Sequence, residues 1–145
     1  MFKDIEMARE EIASYKTWLE EREERPPFDL NVNVLSSAAW PSYPDVQVNV
    51  PEAVLKVTAQ FEQHYRHKHS GRKLEWKHAL AHCQLKCSFP KGAKEIVVSS
   101  FQAILLLSFN GIGSMSYSDL QSSTGLGKLR FRLCVEPIID FHQTI

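Results

Sequence analysis

Apolar and polar positions along the chain change period repeatedly, and each change marks an element. Ile5, Ala8, Ile12, Tyr15 and Leu19 recur at spacings of three and four, with charged residues filling most of the positions between them. That pattern predicts an amphipathic helix from residue 2 to about 24. Its seam is that of a bundle helix, and nothing else in the first thirty residues can cover it, so the helix is expected to need a mate from outside the chain. Pro26 and Pro27 end it and begin a stiff connector. Leu30, Val32 and Val34 then alternate with Asn31 and Asn33, ahead of Leu35. Residues 30–35 therefore read as a short half-buried strand. Asparagine is a poor strand former, and two on one face suit a face turned to water or to another chain's polar groups. Trp40, Pro41, Tyr43 and Pro44 lie in a stiffened loop, and Val46, Val48 and Val50 repeat the alternation.

Pro51 and Glu52 suit the first turn of a second helix, whose buried face is marked by Val54, Val57 or Thr58, Phe61 and Tyr65. Lys68 and His69 fall at its cation-favouring end, and Gly71 stops it. Cys83, Leu85, Cys87 and Phe89 alternate with Gln84, Lys86 and Ser88, Pro90-Lys91-Gly92 makes a turn, and residues 95–99 give the hairpin partner. Ser99 or Ser100 caps a buried helix running to Asn110. Ser116 with Asp119 opens a short one that Gly125 ends. Hairpin and two helices form most of a winged-helix unit. The expected third helix does not follow: Leu129, Phe131, Leu133 and Val135 alternate with period two, which predicts a strand.

The fold class read from these elements is α+β: one bundle helix, a small mixed sheet and an incomplete winged-helix unit. The divisions fall at residues 1–25 (end of a helical bundle), 26–82 (an α/β part), 83–126 (the incomplete winged helix) and 127–145 (a tail). A hydrophobic content of 43% and a charged content of 23% are those of a soluble globular protein. Formal net charge is zero, yet residues 1–25 carry eight acidic and five basic side chains, and residues 56–94 nine basic and two acidic. This unevenness favours an acidic partner surface, or attraction of the two segments to each other, over bulk attraction to a membrane. The longest apolar run, residues 103–107, is far short of the ~20 residues a membrane helix needs. Three cysteines without a secretory leader point to reduced thiols, and so to the cytoplasm, the nucleus or both.

His64, His67, His69, His78, His82, Cys83, Cys87 and Cys134 supply zinc-type donors, but no Cys-x-x-Cys occurs and the spacing fits no common site. The plain reading is a cationic helix end plus two cysteines acting as small hydrophobes on a strand. No metal and no cofactor is expected. Catalytic motifs are absent as well, since Gly111-x-Gly113 follows a helix rather than a strand, and adjacent His82 and Cys83 point to opposite faces of a strand. The chain reads as non-catalytic. A winged helix with a basic middle is a nucleic-acid-reading architecture. Against that use, the groove-entering helix is the one missing from the pattern.

Tyr65-Arg-His-Lys-His-Ser-Gly-Arg-Lys-Leu-Glu-Trp76, together with residues 30–35, Trp40-Pro41-Ser-Tyr43-Pro44 and residues 101–110, resembles the C-terminal homology region of cullins. Residues 68–74 with Trp76 look most like the subfamily that uses a damaged-DNA-binding adaptor. The resemblance covers most of residues 1–126, and from about Gly127 the tail departs from it, through a mis-joined exon or retained intron in the gene model or through a genuine divergent end. It implies a fragment of a ubiquitin-ligase scaffold that binds a RING-box protein, with other ligase subunits or regulators as further partners. The RING-box strand would pair with Leu30, Asn31, Val32, Asn33, Val34 and Leu35, beside Trp40. The terminal region carrying the lysine that accepts a ubiquitin-like modifier is absent from the resemblance. The alternative is a stand-alone winged-helix nucleic-acid-binding protein.

Overall fold

The computed structural model describes residues 2–37 and 45–143, with side chains described over 6–37 and 45–139. The chain divides into two units, one of Met1–Tyr43 and Glu52–Glu75, the other of Pro44–Pro51 and Trp76–Ile145.

In the first unit, α1 (Phe2–Glu21) packs on α2 (Glu52–Lys68). α1 stops earlier than its pattern alone suggests. Proline restricts the residue before it to extended backbone, so the helix must close ahead of Pro26. It does so with Glu23 at a positive φ of 55° and Glu24 N–H bonded to the Leu19 carbonyl at 3.0 Å. Ala8, Tyr15 and Leu19 are buried, Ile12 is half-buried, and the side chain of Ile5 lies outside the described residues. The expectation of an external mate is not met. α2 brings Val57, Phe61, His64 and Tyr65 into the same buried set, and Phe61 meets the Tyr15 ring edge-on at 5.3 Å. The covering stripe lies some forty residues further along the chain, out of reach of any local pattern.

In the second unit β1 (His82–Phe89) and β2 (Gly92–Ser99) form an antiparallel hairpin, with Cys83 opposite Val98 and Lys86 opposite Glu95. Among the described residues this is a two-stranded sheet, and residues 30–35 and 46–50 join no ladder, so the mixed sheet expected from the sequence reduces to the hairpin. Ser99 resolves the choice of cap for α3 (Ser100–Leu107): its hydroxyl accepts from Gln102 N–H while its own N–H donates to Gln102 Oε1. Ser116 caps α4 (Tyr117–Thr124) through Asp119 N–H. The Asp119 carboxylate accepts a hydrogen bond from the Ser116 hydroxyl at 2.6 Å.

The tail is a helix, α5 (Lys128–Gln143), not a strand. Two periods overlap in its sequence. Leu129, Phe131, Leu133 and Val135 alternate, but Phe131, Cys134, Val135 and Ile138 fall on one helical stripe. The helical stripe prevails because it closes a core. Phe131 is fully buried in a cluster with Phe101, Leu105, Leu120, Leu126, Cys134 and Val135, while Leu129 and Leu133 are left 74% and 61% exposed. Pro137 sits inside this helix and has no N–H to give the carbonyl one turn back. The winged-helix unit thus has its third helix. Val46 and Val48 pack against the same cluster, fixed by Asn49, whose N–H reaches the Thr124 carbonyl at 2.8 Å and whose amide reaches the Ser123 carbonyl at 2.9 Å.

Candidate partner-binding edge

Residues 30–35 keep the alternation read from the sequence. Leu30, Val32, Val34 and Leu35 are half-buried, and Asn31 and Asn33 are exposed. Among the described residues none of their backbone groups takes a main-chain hydrogen bond. Every N–H and C=O needs a partner or water, so such a segment is an open edge. The connector leading to it is tied to the first unit by Gln60, whose amide donates to Glu24 Oε2 at 2.8 Å. Beside the edge runs a shallow groove of about 300 Å³, floored by Ala8, Ile12 and Ala13, rimmed by Arg9 and Lys16 of α1, and closed by residues 31–33. Small side chains on α1 leave room here, and its cations border the space. Trp40, the remaining residue of the expected contact, lies outside the described residues.

A buried polar cluster on the other side of α1 escaped the sequence reading. Glu11 is buried, with His69 Nε2 2.7 Å and Lys68 Nζ 3.2 Å from its Oε1. Burial pushes the Glu11 carboxyl up, but hydrogen bonds and charge from His69 and Lys68 together outweigh it and hold the group below the usual carboxylate range. His64 packs against the rings of both Tyr15 and Trp18, at 5.7 and 5.6 Å, and neither of its ring nitrogens has a partner. Burial is the main force lowering its pKa, and Lys68 adds to it. A signal for Glu11 was present: 8, 11, 15 and 19 form a helical stripe as regular as the apolar one. A carboxylate on it reads as surface until the structure shows α2 there.

The zinc-type donors do not converge. His82 is exposed, Cys83 and Cys87 are half-buried along one face of β1, and Cys134 belongs to the α5 core. Burial raises the Cys83 and Cys134 thiols, the opposite of activation. Among the described residues no group of three or more His, Cys, Asp or Glu is arranged to hold a metal ion. Many cations are matched locally, Arg66 with Glu62, Lys77 with Asp45 and Arg132 with Glu136. Among the described residues no helix is long and apolar enough to cross a membrane.

The family model for the Cullin alpha+beta domain matches residues 34–142. The chain belongs to the cullin family. Human Cullin-4A is 34% identical over 138 residues, which are 95% of this chain and 18% of that protein. Cullin-4 of Schizosaccharomyces pombe is 39% identical over 132 residues, 89% of this chain and 18% of its own length. Cullin-4 of Dictyostelium discoideum is 36% identical over 129 residues, 87% of this chain and 16% of its own. The chain therefore spans less than a fifth of the length of these relatives. The cullin match begins within the open edge, at Val34, and runs on through α5, the stretch that alternation had set apart as a divergent tail.

Proposed function

We propose that this cullin-family chain is a non-catalytic scaffold segment of a cullin-RING ubiquitin ligase, acting in ubiquitin-dependent protein catabolism, and that residues 30–35 receive a strand from a RING-box protein. The observation that carries this reading is the open, alternating edge at residues 30–35 in a chain of this family. Strand addition draws affinity from main-chain hydrogen bonds and selectivity from alternate side chains. Leu30, Val32 and Val34 would face inward, Asn31 and Asn33 outward, and Trp40 would close the end of the contact.

Val32→Pro removes one N–H and fixes φ at a position outside the α1 and α2 helices. Co-purification with the RING-box subunit is expected to fall at least tenfold, with helix content by circular dichroism unchanged. Undiminished co-purification of a folded Val32→Pro chain would place the contact elsewhere. Nucleic-acid binding is the competing reading, because α5 supplies the helix it requires. The exposed part of α5 nonetheless carries Leu129 and Leu133, Arg132 is paired with Glu136, and Arg130 lies over the Phe101 ring. Those features suit a protein surface. A salt-dependent affinity for duplex DNA would favour the alternative.

A further inference from the structure

We propose that the α1–α2 contact is a proton-sensitive latch: α1 stays on α2 while the His64 ring is neutral, and a proton taken up by that ring drives α1 off. The geometry carries the argument. His64 is 95% buried, on the α2 face that meets α1, with Tyr15 and Trp18 of α1 against its ring. Both ring nitrogens are shut off from solvent and unbonded, and the Tyr15 hydroxyl and Glu11 Oε2 share that condition. A second ring proton would create a cation with two donors at nitrogens that have no hydrogen-bond partner in the structure, which a buried site opposes strongly.

The charged groups around it decide the sign. From α2, Lys68 and His67 disfavour a positive ring, as does His69 just beyond the helix. From α1, Glu11 favours it, but Glu11 Oε1 is already engaged by His69 and Lys68. Burial leads the balance and holds His64 below the ordinary histidine value. The detached helix has no such restraint and takes the proton near pH ~6.5. The contribution of His64 to α1 docking is therefore complete above that pH and is lost as pH falls towards the depressed value. Glu11, held below the carboxylate range, stays ionised through this window, so its ion pairs give way only in stronger acid. The ring lets go first.

The test is a side-chain NMR titration of the whole chain from pH 7.5 to 5.0, following the His64 ring carbons and the close contact between the Tyr15 and Phe61 rings. The contact is expected to disappear in step with His64 protonation, with a midpoint below ~6.5. Amide-exchange protection of α1, corrected for intrinsic rates, should fall by up to about tenfold per pH unit between ~6.5 and that midpoint, as one-proton linkage requires. His64→Phe, which cannot titrate and stays aromatic beside Tyr15 and Trp18, should keep the contact at pH 5.0. A His64 ring that protonates while Tyr15 and Phe61 remain in contact overturns the proposal, as does a His64→Phe chain that loses the contact at the same pH. The wild-type titration decides by itself if the variant does not fold.

Discussion

In the second unit Phe131 lies in an apolar cluster closed by two serine-capped helices and a left-handed Gly125, and the fully buried hydroxyl of Thr124 donates to the Gln121 carbonyl at 2.9 Å. In the first unit Phe61 and Tyr15 share their interface with Glu11, Thr58 and His64, and three of those five side chains hold buried polar atoms without partners. Apolar burial is indifferent to pH, whereas an unpaired buried titratable group is a cost that a change of protonation can raise or lower. The second unit is therefore built as a fixed body, and the first as one whose two helices separate more readily. The open edge at residues 30–35 belongs to the first.

The largest effect that would break this contrast comes from Phe131→Ala. Emptying a fully buried aromatic site costs about 3–5 kcal/mol, and urea titration should show α3, α4 and α5 unfolding together while α1 and α2 keep their ring contacts. A loss below about 1 kcal/mol would mean that the α5 core is loose. Gly125→Ala comes next. Its φ of 69° is one that side-chain-bearing residues rarely adopt, and a methyl there would stand 3.1 Å from the Asn49 side chain. A cost of about 1–2 kcal/mol is expected, measurable as a lower urea midpoint, with residues 45–50 exchanging amides faster. Leu133→Ser sharpens the comparison with the smallest effect. Its position is mostly exposed on α5, so stability should change by no more than about 0.5 kcal/mol. A loss of several times that size would restore Leu133 to a buried face and undo the helical register.

Local chemistry was legible. The stripe of α2, a cap at Ser99 or Ser100, the cap at Ser116, the stop at Gly125 and the hairpin turn all depend on residues within a few positions of one another, and the structure has them within the pattern's choices, with Ser99 as the first cap. Two misreadings share one cause. Leu129 to Val135 satisfies a strand and a helix equally, and what selects the helix is the unfilled side of a core made by Phe101, Leu105, Leu120 and Leu126. The seam of α1 looked unmated because its cover, Phe61 and Tyr65, lies across the whole connector. In both cases the deciding contact is distant in sequence, where a short-range pattern carries no information. The edge at residues 30–35 was legible as an alternation but not as a pairing, since no ladder partner for it stands among the described residues. Glu11 was hidden because its charge outweighed its place on the buried stripe.

The chain visits the second unit at residues 44–51, returns to the first for α2, and leaves again at Trp76. On the ribosome this route sets an order of waiting. Val46 and Val48 emerge before α2, but the residues they pack against, including Phe101 and Phe131, are made long afterwards. α1 is synthesised before α2 and stays uncovered by it until Tyr65 has left the exit tunnel. Contacts that close such long loops form late and slowly, so a nascent chain carries an amphipathic helix with its apolar stripe uncovered, and a valine-rich strand-like segment, for much of its synthesis. Chaperone capture during translation, followed by ribosome profiling, should peak before Phe131 has left the exit tunnel.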